Sequence, residues 1–308
     1  MTSGSVLNLS RWATASLMEE AHRHPGAPPG LDRPQVRSVP GGVGGRPSAE
    51  DRSGFNAPAP SAARMNDYLL GGKDNYAVDR EIAEWALLKA PIISRLIKAN
   101  RAFAERAVCY LAREAGLRQF IDVGCGLPAA DGVAGAVRGT IPPCRIGYVD
   151  NDPMVVTHAR ALLAVAPGTC AITADVREPA ALLTHPELRR VVDLSRPAGL
   201  LLFGVLHFLT DEDDPSGVLA ALVAGLAPGS YVALTHVERT PALDTVAVLF
   251  RDAGMPFTPR DPDKIATICT GLEERAGLEI LDSTPAHPPI ISGAEPLPLT
   301  GFIGCKPE

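Results

Sequence analysis

A chain of 308 residues, 46% of them hydrophobic, holds enough apolar surface for a sizeable core in one large or two modest domains. Its formal net charge of −6 excludes a nucleic-acid-binding surface spread over the whole protein. No run approaches roughly 18 uncharged apolar residues, so neither a membrane-spanning helix nor a membrane partner is expected.

Residues 1 to 58 differ in composition from the rest. The segment from Pro25 to Pro60 is loaded with Pro, Gly, Ser and Arg and has few aromatic or β-branched residues. Such a segment cannot bury enough apolar area to offset its ordering entropy, so a disordered tail is expected, with room for a short helix over Leu9 to His22. Arg11, Glu19, Glu20 and Arg23 interrupt every apolar region that could serve as a signal peptide. The cysteines (Cys109, Cys125, Cys144, Cys170, Cys269 and Cys305) are scattered, with no Cys-x-x-Cys pair, and read as reduced thiols. No closely spaced Cys and His pairs suggest a metal site. A cytoplasmic protein is the expectation, with its oligomeric state left open.

Residues 59 to 117 have helical periodicity. Asp79 to Leu88 form an amphipathic stretch closed by Pro91, and Ile93, Leu96, Ile97, Phe103, Ala107, Tyr110 and Leu111 continue at helical spacing to Gly116, a C-cap residue. Preceding the first strand, these helices are expected to form a cap or lid beside a sheet. From residue 118 to 308 apolar strands alternate with helices. The strands are expected at Gln119–Val123, Arg145–Asp150, Cys170–Ala174, Gly199–Val205, Tyr231–His236, Leu278–Asp282 and Leu299–Cys305. The helices are expected at Ala129–Arg138, Pro153–Leu163, Pro186–Val192, Gly217–Leu226, Pro241–Ala253 and Pro262–Leu272. Pro153 after Asp152 marks a first helical position behind an N-cap. The alternation predicts an α/β fold with a mostly parallel, Rossmann-like sheet covered on both faces. Only the loop Ser283–Pro298 separates the last two strands, so the final one should enter antiparallel, as a hairpin partner of the sixth.

Two strand ends carry the chemistry. In Phe120-Ile-Asp-Val-Gly-Cys-Gly-Leu-Pro128, Gly124 and Gly126 let the backbone pass close beneath a ligand. Gly-x-Gly alone also describes a plain strand-to-helix turn, and Leu127-Pro128-Ala129 stands where a dehydrogenase places its third glycine. Asp122 would repel a pyrophosphate and attract a cationic amino-acid cofactor, directly or through water. At Tyr148-Val-Asp-Asn-Asp-Pro153, Asp150 is placed to accept hydrogen bonds from ribose hydroxyls, with Asn151 counted beside it at the same strand end. Capping the next helix is the alternative for Asp150, although Asp152 fills that role more readily. After the third strand, Asp175 is placed to meet an adenine amino group and Val176 to pack on the ring. A turn or cap role for Asp175 stands equally open.

Asp-x-Gly-x-Gly, an acid ending the second strand and Ala-Asp-Val after the third resemble the class I S-adenosylmethionine-dependent methyltransferases. Ala63-Arg-Met-Asn-Asp-Tyr-Leu-Leu-Gly-Gly-Lys-Asp-Asn-Tyr76 is similar to the signature of the actinobacterial S-adenosyl methyltransferase family formerly classed as a domain of unknown function. Ala99-Asn-Arg-Ala-Phe103, Val205-Leu-His-Phe208, Asp211-Glu-Asp-Asp-Pro215 and Pro228-Gly-Ser-Tyr231 match it too, so the resemblance spans roughly residues 58–305. It implies a seven-stranded sheet with an antiparallel last strand and S-adenosylmethionine as cofactor, and it names no acceptor. Around Arg64 to Tyr76, the glycines at Gly71-Gly72 are expected to break a helix and expose N–H groups near Tyr68, Lys73, Asn75 and Tyr76. That segment could close over the cofactor's carboxylate, for which Arg101 is a further candidate. His207, after the fourth strand, is the candidate general base, and His236 is a lesser one. Methyl transfer to a small molecule is therefore the leading expectation. A nicotinamide-dependent dehydrogenase is disfavoured by Asp122, the missing glycine and the lack of a Tyr-x-x-x-Lys pair. A non-catalytic cofactor-binding protein remains the other alternative.

Overall fold

The computed structural model describes residues 59–128, 132–140, 142–276, 279–282 and 297–306. The expected disordered tail lies outside these residues, as does most of the loop expected at Ser283–Pro298. Among the described residues, three helices come first: α1 (Ala62–Leu69), α2 (Ala77–Lys89) and α3 (Ile93–Arg113). Asp79 starts α2 by accepting the N–H of Tyr76 at 2.8 Å and reaches back to the N–H of Ser61 at 2.9 Å. At the far end of α3, Gly116 takes φ 71°, and the Leu117 N–H bonds back to the Leu111 carbonyl at 2.9 Å. This is the left-handed stop that the glycine foreshadowed.

The remaining elements follow in order: β1 (Gln119–Val123), α4 (Val133–Ala136), β2 (Arg145–Asp150), α5 (Pro153–Leu162), β3 (Thr169–Thr173), α6 (Pro179–Thr184), α7 (Pro186–Val191) and β4 (Gly199–Phe203). A single 3-10 turn (Leu206–Phe208) then leads to α8 (Pro215–Ala224), β5 (Tyr231–Val237), α9 (Pro241–Asp252), α10 (Pro262–Ala276), β6 (Glu279–Asp282) and β7 (Leu299–Cys305). The seven strands lie in the order β3-β2-β1-β4-β5-β7-β6. β1 to β5 pair in parallel, and β7 inserts antiparallel between β5 and β6. This mixed sheet, with its antiparallel last strand, is the expected fold.

Side-chain alternation assigns the two faces. Ile121, Val123, Val149, Ile172, Leu200, Leu202, Val232, Leu234 and Phe302 form one core cluster with Leu182, Leu188, Leu219 and Ile268 from the helices α6, α7, α8 and α10. The opposite face carries Phe120, Asp122, Tyr148 and Leu201, since Asp122 pairs with Tyr148 and Leu201 in register. α3 covers this face. The Phe103 ring packs so tightly on Gly301 of β7 that a Cβ there would sit 2.5 Å from it. Asn100 accepts a hydrogen bond from Thr235 of β5 at 2.5 Å. Two residues of the Ala99–Phe103 motif therefore dock α3 onto the sheet.

Several boundaries differ from the sequence reading. Six-residue α6, with Pro179 at its first position, was not expected. β4 stops at Phe203, two residues early, because Gly204 turns the chain at φ 76°. α8 starts at Pro215 because the Asp214 carboxylate accepts the Gly217 N–H at 3.0 Å. α4 is only Val133–Ala136, and the first three residues of the expected helix lie outside the described ones.

Candidate functional site

β1 and β2 end side by side, and their turns are tied together. The N–H groups of Gly124 and Cys125 donate to the Val149 carbonyl at 2.8 and 3.1 Å. The Gly126 N–H donates to one oxygen of Asp150 at 3.0 Å, and the Asp152 N–H donates to the other at 3.0 Å. Asp150 is thus oriented by two backbone donors, with lone pairs left on both oxygens. Gly124 and Gly126 both adopt positive φ, 67° and 65°. They differ in surroundings: a Cβ on Gly124 would lie 2.6 Å from Val205, whereas one on Gly126 would meet nothing within 4 Å. The turn is thus closed from below by Val205 at Gly124 and open at Gly126.

Acidity concentrates here. Asp122 is buried on the α3 face of the sheet, and burial, then the nearby charge of Asp150, pushes its pKa up to about 7. Burial also raises the carboxyl of Asp150, opposed by its backbone hydrogen bonds. Burial followed by these two acids raises the Cys125 thiol well above its ordinary value. The neighbouring Tyr148 hydroxyl is buried with no hydrogen-bond partner among the described residues, and its pKa is raised by burial and Asp122.

At the third strand end, Asn151 donates to Asp175 at 3.3 Å, joining two of the expected cofactor contacts. Asp175 also accepts the Arg177 guanidinium at 3.0 and 2.6 Å, which holds its pKa down near 2. Val176 packs, partly buried, against the core cluster.

The Arg64–Tyr76 segment is organised differently from the sequence reading. The Gly71 and Gly72 N–H groups, expected to be open, donate to the carbonyls of Tyr68 and Asp67 at 2.9 and 2.8 Å. The Asp67 carboxylate accepts from the Asp74 N–H and the Asn75 amide, each at 2.8 Å, and leaves no room for a Cβ on Gly72. The Tyr68 hydroxyl donates to Glu84 at 2.8 Å, and Lys73 is exposed. Arg101 lies half-buried on α3. The buried polar member of the motif is Arg64, which pairs with Asp79 and Asp152, each at 2.8 Å. Its place in the signature was the only cue in the sequence, because Asp152 lies 88 residues away.

Beyond β4, His207 is buried, and its Nδ1 has no partner among the described residues. Burial, then His236 and Arg260, depress its pKa well below 6.5, so the ring is neutral. Phe208 and Phe257 pack on it with ring centroids 4.6 and 5.4 Å away. His236 is fully engaged. Arg260 donates to its Nε2 at 3.0 Å, which leaves the ring proton on Nδ1, facing the Val237 carbonyl at 2.8 Å. Burial holds its pKa near 4. Arg260 itself spends all five N–H donors, on Asp211 twice, Leu206, Leu209 and His236. It locks the β4 loop against the end of β5. Asp211 joins this lock while Asp213 caps Thr210, a division of labour the acidic run did not reveal. Among the described residues no group of His, Cys, Asp and Glu could hold a metal ion, and no helix is long and apolar enough to cross a membrane.

The family model described as S-adenosyl methyltransferase matches residues 48–278. The chain belongs to this family. Two solved structures extend the likeness of this chain over most of their length. A candidate methyltransferase from Thermobifida fusca YX is 36% identical, with 81% of this chain and 96% of that one covered at a TM-score of 0.72. A DUF574 family protein from Streptomyces avermitilis MA-4680 is 33% identical, with 81% and 98% covered at a TM-score of 0.74. A search of curated proteins finds no match.

Proposed function

We propose that the protein transfers a methyl group from S-adenosylmethionine to a small molecule in the cytoplasm. The observation that carries the cofactor assignment is the joined end of β1 and β2. There Asp150 is oriented by the Gly126 and Asp152 N–H groups beside an open glycine turn, and the buried Asp122 adds a second carboxylate. These residues suit a ribose and a cationic amino-acid group and would repel a pyrophosphate. In this reading the cofactor supplies a methyl group on a sulfonium. Asp150 and Asn151 hold the ribose, Asp122 draws the ammonium, and Asp175 and Val176 meet the adenine. Gly124 and Gly126 admit the chain, and Arg101, Tyr68 and Lys73 are assigned to the carboxylate side. His207 is the proposed base, entering each turnover neutral. In-line displacement at a sulfonium draws mainly on positioning and exclusion of water.

Calorimetry with S-adenosylmethionine, S-adenosylhomocysteine and NAD tests the assignment, and a preference for NAD would sink it. Asp150→Ala should weaken binding of S-adenosylhomocysteine by about 1–3 kcal/mol, the scale of a polar ligand group left unpaired. Unchanged affinity would remove Asp150 from the ribose site. A screen of acceptors with a labelled methyl group then identifies the substrate, and turnover on none would favour a non-catalytic binder.

A further inference from the structure

Arg64 is 5% exposed and projects from α1. Its Nε donates to Asp79 at the start of α2, its Nη2 to the Ala59 carbonyl, and its Nη1 to Asp152 at the start of α5. The Tyr76 ring lies 5.1 Å from the guanidinium carbon. The side chains of Asp79 and Asp152 are 0% and 17% exposed, so this is a charge network shielded from water. Asp152 continues the path. Its other oxygen accepts the Met154 N–H at 2.9 Å, and its own N–H donates to Asp150. Asp150 in turn accepts from Gly126. One unbroken series of polar contacts runs Asp79, Arg64, Asp152, Asp150, Gly126, from the N-terminal helices to the glycine turn.

We infer that Arg64 is a positioning residue that couples docking of α1 and α2 to capture of the cofactor, by fixing Asp152 and neutralising its charge two residues from Asp150. The inference rests on the cofactor reading above. With Arg64 in place, the carboxylate of Asp152 is held away from Asp150 and its N–H orients Asp150 for the ribose. Without it, two shielded carboxylates lose their shared counter-charge, and Asp152 is left as a mobile like charge beside the ligand-binding acid. The coupling is reciprocal: a ligand that orders Asp150 also favours the docked helices.

The test uses the full chain and S-adenosylhomocysteine as probe. Arg64→Met should raise its Kd by about tenfold or more, the scale of a lost hydrogen bond between charged groups. Ligand should slow amide exchange in α1 and α2 of the wild type and lose that effect in the variant. Adding Asp152→Asn to Arg64→Met removes the uncompensated charge beside Asp150 while keeping the oxygen that caps α5, so it should recover most of the lost affinity. A helix-holding role alone would leave the double variant no better than the single one, and that result overturns the coupling. Arg64→Lys keeps the charge but not the fork, and should fall between wild type and Arg64→Met even if the latter folds poorly. Wild-type affinity in both Arg64 variants also overturns the proposal. A wild-type protein that binds no S-adenosylhomocysteine would instead refute the cofactor reading itself, and this coupling with it.

Discussion

At pH 8 and without cofactor, Asp122→Asn should melt roughly 5–15 °C above the wild type, and at pH 4 the two should melt together. The Asp122 carboxyl has its pKa raised from 3.8 to about 7, chiefly by burial and then by Asp150. The folded chain therefore holds this proton more tightly than the unfolded one. That advantage is complete below about pH 4 and is lost as pH rises through 7. Each pH unit in the window costs about 1.4 kcal/mol, so at pH 8 the ionised Asp122 destabilises the empty protein by up to about 4 kcal/mol. Asn removes the cost, and the difference between variant and wild type cancels the titrations of groups that do not interact with Asp122. The same substitution should weaken S-adenosylhomocysteine, because a buried carboxylate is what an incoming ammonium would neutralise. Scanning calorimetry at pH 4 and 8, with and without ligand, reads both effects. Parallel pH dependence of the two proteins would show that Asp122 does not ionise in this window.

That tension between stability and ligand was partly visible in the sequence. An acid two residues before a Gly-x-Gly turn, at the end of an apolar run, announces a buried charge at a strand end, because both strand ends and glycine turns are local patterns. Asp150 was legible for the same reason. Arg64 was not, since its second partner lies 88 residues on and becomes a neighbour only through the pairing of α1 with the end of β2. The Arg260 cluster eluded a sequence reading likewise: Leu206, Leu209 and Asp211 come from the loop after β4 and His236 from β5, and only the sheet order brings them to Arg260. Gly71-Gly72 shows the opposite case. Each glycine answers a need inside the turn itself: Gly71 takes φ 81°, and Gly72 leaves room for the Asp67 carboxylate. A local pattern names a conformational need and leaves its cause to the tertiary contacts.

The two glycines of the β1 turn separate those causes experimentally. Gly124→Ala should destabilise the fold by about 2–4 kcal/mol, combining the strain of a left-handed non-glycine residue with overpacking. Its φ is 67°, and the new Cβ would lie 2.6 Å from a methyl of Val205. Val205 cannot simply retreat, because it packs against the core cluster and leads into the turn carrying His207. Truncating the obstacle removes the clash but not the strain. Gly124→Ala with Val205→Ala should therefore be more stable than the two single losses added together, by about 0.5–3 kcal/mol of coupling. Gly126→Ala has nearly the same φ of 65° but meets nothing within 4 Å, so only strain of about 1 kcal/mol should appear in denaturant melts. Its larger effect should fall on S-adenosylhomocysteine, since the methyl group would occupy the open side of the turn, where the proposed cofactor site lies. Equal stability losses at the two positions would mean that the Val205 contact is not what closes the turn from below. Undiminished binding by Gly126→Ala would place the ligand elsewhere than above this glycine.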